Sequence, residues 1–372
     1  MGKALASVIC LMEKFNQEYT ELLGDIHTIK DEMSAVDLEN KYPVTLINYL
    51  NRQSLLSLFM IPTELGGRNA GLKPAVSLLP YLSYYSVNLA SLYMFHFQCT
   101  ARLNNYASES LYQEIAQNIY HSGRLMSSSW SEGEQNPASV LNTLGDNVLI
   151  SGNKYISTGV SESCYLHVIV NDKEFGGKSF ICLPNAFPEE KLKLLPLDLI
   201  GFKSAQNCSI VFSSLSSDSR YFLGRRGSGA KLQISNHESG INPGLLALGL
   251  LARLLDTLEQ EYKYIYDKEV YRKIEDKFYA FIRGFERVLI SGEYFDLTYC
   301  LSLKYLSTAL IRDSVLILLP LFGPSVLKER NTVNNIIQNA LLLQYMGPAN
   351  YQIEDKISYD LFSGSYFKIS YD

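Results

Sequence analysis

The 372-residue sequence is poor in the groupings that build metal centres and covalent staples. Its six cysteines, at 10, 99, 164, 182, 208 and 300, never form a C-x-x-C pair, and its five histidines do not cluster with them. A structural zinc site and a disulfide framework are therefore not expected, and the cytoplasm is the expected compartment. No run of Lys or Arg is long enough to track a nucleic-acid backbone, and 33 basic residues stand against 38 acidic ones, a net charge of −5. A membrane helix needs about 20 consecutive apolar residues. The stretch LSTALIRDSVLILLPLF, 306–322, is interrupted by Arg312 and Asp313 and reads as a buried helix. The opening MGKALASVICLMEKF runs straight into charge, unlike a signal peptide, and Ala6 stands where a myristoylation signal has Ser or Thr. Neither nucleic acid nor membrane is an expected partner.

What the chain does have is length for a large core in two or three packed units, and 26 tyrosines, which suit a core or cleft rich in amphipathic rings. The first third is helical in pattern. ALASVICLMEKFNQEYTELLG, 4–24, puts Val8, Cys10, Leu11, Phe15 and Tyr19 on one helical stripe; TLINYLNRQSLLSLFMIP, 45–62, reads as a second helix stopped by Pro62, SLLPYLSYYSVNLASLYMFHF, 77–97, as a third, and SESLYQEIAQNIYHSG, 108–123, as a fourth ending at Gly123. The period then changes. NVLISGNKYISTG, SCYLHVIVN, KSFICLP and CSIVFSSL are short β-rich segments separated by turn residues, with no helices between them. Helical patterning returns from about residue 230 in four candidate helices. The expected fold is α+β and multidomain: an N-terminal helical domain (1–123), a middle antiparallel β-barrel (124–228) and a C-terminal four-helix bundle (229–372) with the 315–323 segment deeply buried.

Several short stretches, in fixed order, carry a family likeness: IPTELGG (61–67), His96, WSEGEQNPAS (130–139), ISGNKYISTG (150–159), IGFKS (200–204), LGRRGSG (223–229) and QYMGPANY (344–351). Together they resemble the acyl-CoA dehydrogenase superfamily of flavoproteins over most of the chain. The resemblance implies FAD as cofactor, with Ser131, Tyr155 and Ser157 beside the flavin ring and Gln344 and Gly347 in the loop that approaches its phosphates. It implies an acyl or aminoacyl thioester as substrate, and a homodimer or homotetramer. GRRGSG lacks the Lys-Ser/Thr end of a phosphate-binding loop and reads as the linker into the bundle.

The departures bear on chemistry. No Arg-x-x-Phe-Gly is present in YIYDKEVYRKI, 264–274, where Lys268 or Arg272 are the available cations. Pro348 and Asn350 replace two glycines, and Pro348 brings no N–H to a phosphate. In YDLFSGSY, 359–366, Ser363 stands where the family pattern has a catalytic Glu; a serine hydroxyl cannot deprotonate a weak carbon acid unaided. In NHESGINPGLLALG, 236–249, the alternative position for that Glu falls on Ser239–Gly240, one residue from Glu238. Glu238 is the leading candidate base, with His237 as a second and Glu354 and Asp360 as outsiders. The expected function is a flavin-dependent dehydrogenase or oxidase of an acyl or aminoacyl thioester borne on a carrier protein in specialised metabolism. The alternatives are a non-redox protein binding a carrier or thioester, and a flavin-dependent monooxygenase.

Overall fold

The computed structural model describes residues 2–131, 136–262, 268–290, 297–328 and 331–355, with backbone alone at 141–144, 234–238, 325 and 327. Seven helices lead: α1 (Lys3–Phe15), α2 (Thr20–Thr28), α3 (Lys30–Glu39), α4 (Val44–Gln53), α5 (Leu72–Tyr85), α6 (Val87–Tyr106) and α7 (Glu109–Ser122). The expected helix over 45–62 ends early, because Leu55 turns left-handed (φ 53°) and Arg68 Nε takes up the Ser54 carbonyl at 2.7 Å. The expected helix over 77–97 is two helices. Ser86 leaves the helical region, its hydroxyl accepts from Leu89 N, and the buried Asp37 carboxylate accepts from Ser86 Oγ, Val87 N, Asn88 N and Asn88 Nδ2. A capping carboxylate on α3 thus starts α6. Gly123 closes α7 at φ 63°, a conformation glycine adopts without strain.

Eight strands follow: β1 (Met126–Ser129), β2 (Ser139–Leu144), β3 (Asn147–Thr158), β4 (Tyr165–Asp172), β5 (Gly177–Pro184), β6 (Leu192–Pro196), β7 (Asn207–Asp218) and β8 (Phe222–Leu223). They form one mixed sheet in the order β6-β7-β3-β2-β4-β5-β8, with β1 also on β4. The expected closed antiparallel barrel is not formed. Its two ends, β6 and β8, do not pair, and β4 runs parallel to both β1 and β2. The ends are poor partners for closure. β8 is two residues long, while β6 carries Lys193 and stops at Pro196, which has no N–H to donate.

The GRRGSG stretch is the linker out of this sheet. Arg226 grips the buried Asp172 of β4 through Nε and Nη2 at 2.8 and 2.9 Å, between the rings of Phe175 and Phe222. The remaining helices are α8 (Gly229–Glu238), α9 (Pro243–Glu261), α10 (Lys268–Ile290), α11 (Leu297–Phe322) and α12 (Thr332–Leu343). One hydrophobic core runs through both helical regions, joining Leu5 and Val8 of α1 to Leu79 of α5, Leu250 of α9, Ile311 of α11 and Ile336 of α12. Of the segment expected to be deeply buried, Val315 and Leu318 are in the core, but Ile317 is 58 % exposed. A second cluster seals α6 and α7 against the sheet, and a third fills the sheet's other face.

Candidate functional site

A cavity of about 120 Å³ opens where α6, the sheet, the start of α9 and the chain after α12 converge. Its sheet wall exists because β1 and β2 share one edge of β4 end to end. Met126–Ser129 pair with Tyr165–Val168, and Ser139–Val140 pair with Asn171–Asp172. Trp130 and Ser131 leave the sheet between them and line the cavity. From β3 come Ile156, Ser157 and Thr158. Three consecutive residues reach one side because the β3–β7 register slips between Lys154 and Ser157.

The wall is hydroxyl-rich and tightly wired. Ser129 and Ser157 share a hydrogen bond of 2.5 Å, Ser127 Oγ donates to the Thr158 carbonyl, and Thr158 Oγ1 donates to Asn207 Oδ1 at 2.8 Å. In the Ser129–Ser157 pair one proton lies between the oxygens and the other is left to point elsewhere. His96 sits behind this wall. Its Nδ1 accepts from Met126 N at 3.0 Å and its Nε2 donates to the Ser57 carbonyl at 2.6 Å. Both bonds suit the neutral ring, and burial lowers its pKa to about 4. His96 therefore ties β1 to α6 as a neutral structural group.

The opposite wall is helical: Met94, Phe95 and Gln98 of α6, and Pro243 at the head of α9. Gln98 is 4 % exposed, and its Nε2 donates to the Ile241 carbonyl at 2.7 Å. That bond fixes which way the amide faces, because a carbonyl can only accept. Gln98 Oε1 finds no hydrogen-bond donor among the described residues. The Ile241 carbonyl lies in the break between α8 and α9, built by Ser239, by Gly240 at φ 76°, and by Asn242, whose side chain caps α9 through Gly244 N. Glu238 is the last residue of α8. Its side chain and that of His237 lie outside the described residues, as do Glu132, Asp360 and the YDLFSGSY segment.

The third wall is the loop after α12, which contributes Tyr345, Met346 and Gly347. It is held from below by Lys304 of α11, whose side chain is wholly buried. Lys304 Nζ donates to Asn350 Oδ1 at 2.6 Å, to the Pro348 carbonyl at 2.7 Å and to the Gln344 carbonyl at 3.4 Å. Thr308 Oγ1 reaches the same Asn350 oxygen. Asn350, which stands where the sequence pattern has a glycine, is turned inward as a tether for this lysine.

Of the residues singled out in the sequence, Ser131, Ser157 and Gly347 line this one cavity. Tyr155 does not; it is 61 % exposed, with its N–H bonded to the Ser131 carbonyl. Gln344 stands below the cavity, its side chain bonded to Arg312. Lys268 and Arg272 are exposed at the start of α10, and Glu354 is exposed beyond the loop. Sequence reading missed Trp130, Gln98 and Lys304. A lone Gln or Lys in an apolar helix is a usable signal, since burying either without partners is costly.

A flavin ring needs donors at its nitrogen edge and flat apolar faces. The cavity offers the Ser131 and Ser157 hydroxyls that could serve as the former, and Trp130, Phe202 and Tyr345 that could serve as the latter. The enclosed volume is near that of an engineered cavity of about 150 Å³ that binds benzene, so one ring width is enclosed. A tricyclic ring would extend through the mouth at Ser131 and Tyr345. No Lys or Arg lines the cavity among the described residues, and Pro348 offers no N–H. The chain fits the flavin ring edge and does not by itself fit a pyrophosphate.

No family model matches the sequence, and no curated protein does. Solved structures match closely in shape. Glutaryl-coenzyme A dehydrogenase in complex with glutaryl-CoA superposes with a TM-score of 0.81 at 14 % identity, over 93 % of this chain and 95 % of that one. Butyryl-CoA dehydrogenase from Megasphaera elsdenii gives 0.76 at 15 % identity, over 97 % and 99 %. TdsC from Paenibacillus sp. A11-2, with FMN and indole, gives 0.77 at 15 % identity, over 96 % and 99 %. At these identities the likeness is one of fold, and over nearly its whole length this chain has the fold of the acyl-CoA dehydrogenase superfamily.

Proposed function

We propose that the protein is a flavin-dependent dehydrogenase or oxidase of an acyl or aminoacyl thioester, acting on a carrier-protein-bound group in the cytoplasm as a homo-oligomer. The observation that carries this reading is the convergence of the Ser131 and Ser157 hydroxyls and the Gly347 backbone on one cavity, bordered by the α8–α9 break that follows Glu238. Ser131, Ser157 and Gly347 would hold the FAD ring. When bound, the flavin supplies the hydride acceptor.

The chain's own part is binding, orientation and proton transfer. Met94 and Phe95 of the helical wall would exclude water around the acyl group. Glu238 takes a proton from the carbon α to the thioester carbonyl, and the electron pair left there forms the Cα–Cβ double bond as a hydride leaves Cβ. For an aminoacyl group the hydride would instead leave the amine-bearing carbon while the amine nitrogen gives up the proton, and a C=N bond forms in place of C=C. The carboxylate's role is testable: Glu238→Gln should keep flavin binding and lower turnover by about 10²-fold or more, the usual scale of a general base. Unchanged turnover sinks that assignment.

The reading as a whole is tested by the visible absorption spectrum of the purified protein before and after adding FAD, with bound flavin quantified. A stoichiometric flavin band is expected. A colourless protein that also refuses added FAD would replace the reading with a non-redox thioester- or carrier-binding role. The misfit of the loop to a pyrophosphate, together with the one-ring cavity and the match to TdsC with FMN and indole, favours a second reading as a flavin-dependent monooxygenase. Retention of FMN over FAD, and oxygen uptake coupled to hydroxylation with externally reduced flavin, would support it.

A further inference from the structure

We infer that Gln98 selects a ligand whose buried end carries a hydrogen-bond donor, such as a hydroxyl, phenol or amine, over one that ends in hydrocarbon. The inference rests on the thioester reading for the class of ligand and on the cavity's geometry for the donor. Gln98 lines the cavity and is 4 % exposed. Its amide cannot rotate to satisfy itself, because Nε2 is held by the Ile241 carbonyl at 2.7 Å, and Oε1 has no donor among the described residues. Native proteins rarely leave a buried acceptor empty. The neighbours do not fill it: Met94, Phe95 and Pro243 are apolar. None of the sheet-wall hydroxyls reaches it: Ser127 and Thr158 donate to the Thr158 carbonyl and Asn207, and the proton left over from the Ser129–Ser157 pair is not given to Oε1. Gln98 belongs to α6, so the acceptor stands on the helical wall rather than on the sheet wall assigned to the flavin ring.

The gain is asymmetric. Oε1 is already closed off from solvent, so a methyl brought against it gains nothing, whereas a hydroxyl that reaches it satisfies it. With no flavin in place, the cavity volume of about 120 Å³ admits one small ring or a short chain, the size range of the probes below.

Trp130 lines the cavity and is the chain's one tryptophan, so its fluorescence reports occupancy without turnover or added cofactor. Two matched pairs should be titrated against the full chain: 4-hydroxybutyryl against pentanoyl N-acetylcysteamine thioester, and phenol against toluene. Each pair exchanges a hydroxyl for a methyl at nearly constant volume. The hydroxyl member should bind about 10-fold more tightly, the scale set by one unsatisfied buried acceptor. In Gln98→Met the preference should vanish or reverse, with far-UV circular dichroism checking the fold. Thioesters that bind without discrimination would overturn the role of Gln98 and leave the thioester reading standing. Discrimination between phenol and toluene alone, with no thioester binding, would keep the role of Gln98 and remove the thioester. A preference that survives unchanged in Gln98→Met would overturn the inference, and so would wild-type affinities equal within each pair, an outcome that needs no variant.

Discussion

At the scale of single residues, the site turns on polar groups placed where an apolar side chain would fold as well. Lys304 is the plainest case. Burial lowers its ammonium from 10.5 to about 7, although three oxygens face it. Between those values the unfolded chain holds the proton and the folded chain does not. Stability attributable to Lys304 therefore rises as pH rises from about 7 toward 10.5, by at most about 1.4 kcal/mol per pH unit for one proton. Below pH 7 both states are protonated and the contribution is flat. Urea unfolding of the wild type and Lys304→Met across this window should give a difference curve that climbs with pH. Parallel curves would show that the acceptors hold the proton on Lys304 throughout. Gln98 and Lys304 escaped the sequence reading for one reason: each sits in an apolar helix where the pattern reports burial but not what the polar tip meets. Ser131, Ser157 and Gly347 were legible because they stand in motifs whose order is kept, whereas Tyr155 was displaced by a β3 register slip that no spacing rule reveals.

At the scale of elements, local chemistry marked the ends of helices better than periodicity did. Gly123 was readable as a stop from its own conformational freedom. The break at Ser86 was not, because half of the cap comes from Asp37, 49 residues away. The sheet shows the same limit: strand segments were legible, but whether β6 meets β8 depends on how β1 and β2 divide the edge of β4. Where two elements touch backbone to backbone, one side chain decides the packing. At Gly249 of α9 an added Cβ would lie 2.2 Å from the Pro80 carbonyl oxygen and 2.8 Å from Tyr84 N of α5. Backbone atoms cannot swing aside, so overpacking of about 1–3 kcal/mol outweighs the helix-propensity gain of up to about 1 kcal/mol. Gly249→Ala should lose stability in urea unfolding. Gly24, in α2, has nothing within 4 Å of the same added atom, so Gly24→Ala should gain about 0.5–1 kcal/mol. Equal effects at the two sites would mean that α5 and α9 can separate freely.

At the scale of the whole molecule, α11 presents a surface that one chain leaves uncovered. It is the one described helix long and apolar enough to cross a membrane by length and composition. One of its faces is committed to the protein: Ile311, Val315 and Leu318 lie in the core, and Lys304 and Thr308 hold the loop at the cavity. The other face exposes Leu306 and Leu316, each at 49 %, and Ile317 at 58 %. Beside it a groove of about 550 Å³ between α10 and α11 is lined by Phe281, Leu310 and Ile317, with Lys273 and Lys277 on one bank and Asp313 on the other. A two-fold axis through this groove would bring Lys273 and Lys277 of each protomer, Lys273 already paired with Glu269, towards Asp313 of its partner, already paired with Arg312, and bury the leucine and isoleucine ridge of both, as an isologous interface requires. These side chains are already about half-buried, so covering the rest is worth about 0.7–1.5 kcal/mol each, half of the full-burial value, which still makes the apolar ridge, not the screened rim charges, the dominant contribution. Ile317→Lys should therefore turn a dimer into a monomer in sedimentation velocity while leaving the cavity's ligand affinity intact, since Ile317 is not among the cavity's lining residues. Asp313→Lys should weaken association less, and more strongly at low salt than at high salt. A wild-type protein that sediments as a monomer would remove the second copy from this face, and a dimer insensitive to Ile317→Lys would move the interface elsewhere.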